Sequence, residues 1–176
     1  MGEAFLQSVD IKEVKHVSNG ISKIIEFLRS TEMYESTITV VSSSPFSEKA
    51  NPTKVIFPAC DSIGAYTFSN MYNLQYASFS AAYVGRYAFD YCRNLKTLIF
   101  KGGNTCQFSR SLGNSINLDD LYMLVESVPD MGGDPPDFLN SVKRIHVYPS
   151  MLNNFVNDEK WSYYSSYMIP YGGEPL

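Results

Sequence analysis

Apolar residues stand at the first, fourth and sixth places of three short stretches: Pro52, Val55 and Phe57; Leu74, Ala77 and Phe79; and Leu95, Leu98 and Phe100. Side chains alternate along an extended segment, so the fourth and sixth places share one face of a short strand, while the first turns inward as the chain enters it. Ahead of the second and third strands lies a further apolar pair, Ile63 with Phe68 and Val84 with Phe89, placed to close the core from behind. The two longer units match place for place. Ile63-Gly64-Ala65-Tyr66-Thr67-Phe68, Asn73-Leu74 and Phe79 align with Val84-Gly85-Arg86-Tyr87-Ala88-Phe89, Asn94-Leu95 and Phe100 at a period of 21 residues. A fixed period of that size predicts a solenoid, in which one unit cannot bury its apolar face alone and must stack on its neighbours. Gly64 and Gly85 fall where a coil turns and a Cβ would clash.

The Gly-x-Tyr-x-Phe spacing, the Asn-Leu pair and Cys92 ahead of Asn94-Leu95 together resemble the BspA-type leucine-rich repeats, a subclass found in bacterial surface proteins and in proteins of phages. The second copy follows that pattern closely; the first has Thr67 in place of alanine and Met71 in place of cysteine. The resemblance implies an α/β repeat fold, a leucine-rich-repeat solenoid with short parallel strands. It extends to the end of the chain, where Trp161, Tyr164 and Ile169-Pro170 are similar to the closing unit of such arrays, so it spans roughly Pro52 to Pro170. It implies no particular activity, because a fold does not fix a function.

The flanking segments follow other periods. Ile11, Val14, Ile21, Ile25 and Leu28 recur at steps of three, four or seven, which predicts helix over residues 1–30 with a break at Asn19-Gly20. With Ala4, Gln7 and Ser18 they trace the seam of a left-handed coiled coil, suited to self-association or docking. A second stripe, Val17, Ile24 and Phe27, suits instead a helix buried on the first coil as a cap. Ser36 to Val41 predicts a strand and Ser42 to Asn51 a loop. Beyond Phe100, Asn117 stands as an N-cap with Asp119 and Asp120 in a first turn, and Leu118, Leu121, Leu124, Val125 and Val128 predict an amphipathic helix ending at Pro129. Val142, Ile145 and Val147 restore the strand spacing and make a fourth coil, with that helix as its back. Pro149-Ser150 opens a short helix through Met151, Leu152, Phe155 and Val156. The expected division is an N-terminal helical tether or cap over residues 1–35 and the repeat array over 36–176, its closing unit starting near 148.

Composition narrows the function. In 176 residues, 44% hydrophobic and 14% aromatic, there is material for one well-packed domain. Fourteen Lys and Arg against 18 Asp and Glu give −4 with no long basic run, which argues against a nucleic-acid partner. Cys60, Cys92 and Cys106 form no metal-binding spacing, and a Cys60–Cys92 bridge requires Cα atoms within about 7 Å. No metal and no cofactor is expected. No apolar run reaches the ~18 residues of a membrane span, and the N-terminus lacks a signal-peptide pattern, so a virion location is expected, or an extracellular one if a targeting segment was removed.

Catalytic constellations are missing from the sequence: there is no Gly-x-Ser-x-Gly elbow, phosphate-binding glycine loop or His-Glu-x-x-His helix. His16 sits among charged residues, and His146 points away from the core. The paired carboxylates Asp119-Asp120 and Asp158-Glu159 suit helix ends. The candidate site is therefore the outward face of the strands, where stacking aligns Lys54, Tyr76, Thr97 and Arg144 in one ladder and Ile56, Ser78, Ile99 and His146 in the next. Such a face fits protein partners, either self or other structural components of a phage particle, or a host surface protein or glycan if the chain is an adhesive module.

Overall fold

The computed structural model describes residues 33–35, 40–41, 53–57, 62–102, 107–108, 112, 118–132 and 142–173. Their elements in chain order are β1 (Met33–Glu35), β2 (Val40–Val41), β3 (Lys54–Phe57), β4 (Ser62–Ile63), β5 (Tyr76–Ser80), β6 (Tyr83–Val84), β7 (Thr97–Gly102), β8 (Gln107–Phe108), β9 (Asp120–Val125), β10 (Arg144–Val147), α1 (Leu152–Asn157), a 3-10 helix (Trp161–Tyr167) and β11 (Met168–Pro170). From β1 to β8 successive strands go to alternate sheets. One sheet has the order β1-β3-β5-β7-β9-β10-β11 and the other β2-β4-β6-β8. Every pairing in both is parallel.

The period of 21 residues appears as register. Phe57, Phe79, Phe100 and Met123 are successive partners in the larger sheet, and Ile63 and Val84 are partners in the smaller one. These residues meet in one core, together with Phe68 and Phe89. Phe68 and Phe89 occupy equivalent, fully buried places, stacked with ring centroids 5.1 Å apart, and Phe79 lies 5.5 Å from Phe89.

Three small residues tie one coil to the next. A Cβ on Gly85 would lie 2.5 Å from the backbone nitrogen of Ala65 in the preceding coil, so the position admits no side chain. The Asn94 side-chain amide donates to the Tyr72 carbonyl at 2.6 Å, and the Cys92 thiol donates to the Phe68 carbonyl at 3.0 Å. Burial pushes that thiol up to about 12, which keeps it protonated and inert. Cys92 is a free, buried thiol and takes no part in a bridge to Cys60.

The expected helix from Leu118 to Val128 is instead a strand. β9 pairs with β7 on one side and β10 on the other, so a further coil lies between the two that the spacing had placed next to each other. Leu121, Met123 and Val125 alternate into the core, each fully buried. A short apolar segment satisfies helical and strand periods equally. The neighbouring strand decides between them, since pairing with β9 satisfies the N–H and C=O groups along that side of β7. Asp119 and Asp120 are accordingly not in a helical first turn.

The strand expected within Ser36 to Val41 contains β2, and β1 precedes it at Met33–Glu35. The expected helical residues Ile11, Val14, Ile21, Ile25 and Leu28 lie outside the described residues. At the other end, α1 and the 3-10 helix add Phe155, Trp161 and Tyr164 to the same core. The Trp161 indole N–H donates to the Pro129 carbonyl at 2.7 Å, and Asp158 Oδ1 accepts the backbone N–H groups of Lys160 and Trp161. Pro170, on β11, lacks an N–H and so blunts that edge of the sheet.

Candidate functional site

Alternation along the strands of the larger sheet turns every second residue away from the core. Register aligns Lys54, Tyr76, Thr97, Asp120 and Arg144 in one outward row. The next row is Ile56, Ser78, Ile99, Tyr122, His146 and Ile169. All eight residues expected from the sequence fall in these rows in the expected order. Between Thr97 and Arg144 stands Asp120, however, and between Ile99 and His146 stands Tyr122, both from the strand that had been expected as helix.

Those two additions form the centre of the most connected cluster on this face. Arg144 grips Asp120 with two hydrogen bonds, Nε to Oδ1 at 2.7 Å and the terminal nitrogen to Oδ2 at 2.8 Å. His146 Nε2 lies 2.7 Å from the same Oδ1, and because an ionised carboxylate can only accept, this nitrogen carries the proton. The Arg144 bonds, and after them the His146 bond, hold the Asp120 carboxyl below its usual range against a desolvation that pushes it up. The Tyr122 and His146 rings are parallel within 7° at 4.0 Å, and Tyr171 meets Tyr122 edge-on at 6.0 Å. Burial, followed by the Asp120 charge, pushes the Tyr122 phenol up.

At the other end of the first row, Lys54 Nζ lies 4.5 Å over the Tyr76 ring, a cation–π contact. Burial pushes the Tyr76 phenol up, with its hydrogen bond to Ser78 acting in the opposite sense. Two members of the second row are covered, Ile99 fully buried and Ser78 8% exposed, so neither offers contact area. Lys54, Ile56, Tyr76, Thr97 and His146 are half-buried and Arg144 is exposed.

Asp120 and Tyr122 were missed although the sequence carried their signal. Asn117-Leu118, Leu121 and Met123 repeat the Asn-Leu pair and the one-four-six spacing of Asn73-Leu74 to Phe79 and Asn94-Leu95 to Phe100. Reading Asn117 as a helix cap hid them.

The arrangement presents charge, hydroxyls and aromatic edges, with the face's histidine engaged by a carboxylate. His16, Cys60 and Cys106 lie outside the described residues. Among the described residues no grouping of His, Cys, Asp or Glu could hold a metal ion, and no helix is long and apolar enough to cross a membrane. The sequence model of the BspA type leucine-rich repeat region, in 6 copies, matches residues 26–130. This span includes β1 through β9. No curated protein matches the chain.

Proposed function

This chain belongs to the BspA-type leucine-rich repeat family, and we propose that it is a non-enzymatic protein-interaction module whose coils stack into a solenoid and whose working surface is the outward face of the larger sheet. The observation that carries this reading is the continuous row from Lys54 to Arg144. Five parallel strands bring residues 90 positions apart in sequence onto one face. At its two ends stand an aromatic ring under a lysine and an arginine locked in a fork, the residue types that dominate interface hot spots. Arg144 is held by Asp120 before any partner arrives, so little side-chain freedom is lost on binding.

The biological setting that we favour is assembly, with this chain as an accessory component of a phage particle that contacts other structural proteins. The family match also supports an adhesive module of a bacterial surface protein, bound to a host protein or glycan. Mass spectrometry of purified native particles against a cell-surface fraction separates the two. For the face itself, the test is a Tyr76→Ala, Arg144→Ala double variant, assayed against the partner recovered by crosslinking. A loss of roughly tenfold or more in affinity is expected. Full affinity in a folded double variant would move the site off this face.

A further inference from the structure

A second surface lies away from the outward rows, on the bends that carry each coil from the smaller sheet to the larger. Tyr66, Tyr87 and Tyr91 have φ of 55°, 58° and 58°, in the left-handed region that bulky residues seldom adopt. Tyr66 and Tyr87 are equivalent places in successive coils, stacked at 5.3 Å. Tyr91 is the equivalent of Asn70, which has φ of 62° and is a residue type that tolerates this region. The bend can therefore be made by asparagine, and tyrosine is not required for the turn. Tyr66 and Tyr91 are nevertheless 44% and 38% exposed, so their burial in the core does not explain them either.

Two arginines accompany these rings. The Arg86 guanidinium lies 5.6 Å from the centre of Tyr87, and that of Arg93 lies 5.6 Å from the centre of Tyr91. Both are exposed, and among the described residues neither has a carboxylate at ion-pair distance. Asp90, the acidic residue between them, is 8% exposed. A protein of net charge −4 thus carries a cationic, tyrosine-rich bend on one flank.

We propose that this flank is a second docking surface, separate from the sheet face, and that it takes an acidic polypeptide segment of a partner protein. Charge complementarity chooses the occupant: the two guanidiniums supply the attraction, and the three tyrosines supply rigid area that loses little entropy on binding. Nucleic acid is disfavoured, because two cations on a bend cannot follow a phosphate backbone.

The test uses the full chain and two soluble probes, a labelled random copolymer of glutamate and tyrosine and a matching copolymer of lysine and tyrosine, read by fluorescence anisotropy at low and high salt. The wild type should bind the acidic copolymer and not the basic one, with affinity falling as salt rises. Arg86→Ala with Arg93→Ala should weaken that binding about tenfold or more. Tyr91→Asn, which keeps a residue suited to the turn, should weaken it by a smaller factor with the fold intact. Tyr76→Ala with Arg144→Ala should leave it unchanged, so failure here and failure of the sheet-face reading are distinguishable. Equal binding by wild type and the arginine double variant would overturn the proposal. So would a wild type that ignores the acidic probe, or self-association in light scattering that the same arginine changes abolish, since the occupant would then be a second copy of this chain.

Discussion

The two faces of the larger sheet are built from the same strands and differ in what they tolerate. On the inner face, one row runs Val55, Ala77, Leu98, Leu121, Ile145 and the next Phe57, Phe79, Phe100, Met123, Val147; every member is apolar and at most 1% exposed. On the outer face, the corresponding row changes character at each strand: Lys54, Tyr76, Thr97, Asp120, Arg144. A single requirement, filling the space between stacked coils, acts on every inner position alike and produces a repeat. Outer positions answer to their own neighbours and partners, so they carry the individuality of the protein.

The strongest way to break this contrast is on the inside. Phe89 is fully buried between Phe68 and Phe79, and Phe89→Ala should destabilise by about 3–5 kcal/mol in a denaturant melt. A neutral result would mean that the coils do not depend on a shared aromatic core. Gly85→Ala comes next, at about 1–3 kcal/mol, because the added methyl group meets the backbone of Gly64 and Ala65 at 2.5–2.9 Å, and backbone cannot swing aside.

On the outer face the effects are smaller and depend on pH. Arg144, and then His146, lower the Asp120 carboxyl in the folded state. Its contribution is therefore complete above the ordinary carboxylate value of about 3.9 and is lost as pH falls through the lowered folded value. Asp120→Asn should be less stable than wild type at pH 7 and 5, and the gap should narrow at pH 3. Urea midpoints at the three values measure it; a constant gap would show that the charge is not what holds the cluster. The smallest effect expected is a gain. Tyr91→Asn, which places at φ 58° the residue type found at the equivalent Asn70, should stabilise by up to about 1 kcal/mol, offset in part by the lost contact with Arg93. Thermal melts that show destabilisation instead would mean that Tyr91 also supports the fold.

Much of the architecture was legible because a repeat states the same constraint several times. The spacing at Val55–Phe57, Ala77–Phe79, Leu98–Phe100 and Ile145–Val147 predicted four strands, their inner faces and the order of the outer rows. The same rule at Leu118, Leu121 and Met123 was concealed by residues that also suit a helix: an asparagine cap, two early aspartates, and apolar residues at 118, 121, 124, 125 and 128. Locally nothing distinguished the two states, since helix propensities span well under 1 kcal/mol for most of these residues. That strand carries Asp120 and Tyr122, the residues that turn Arg144 and His146 from isolated side chains into a cluster.

Residue type and spacing alone set the 21-residue period, the apolar face of each coil and the small residues that let coils approach, because burial and steric exclusion act on both. That 120–125 is a strand follows only from the folded sheet, because its partner β7 lies 23 residues away in register and supplies hydrogen-bonding groups that no local window contains. The same holds for the partners on the outer face. Which side chain meets Arg144 depends on which strand stacks beside it, and the stacking order is a property of the folded sheet.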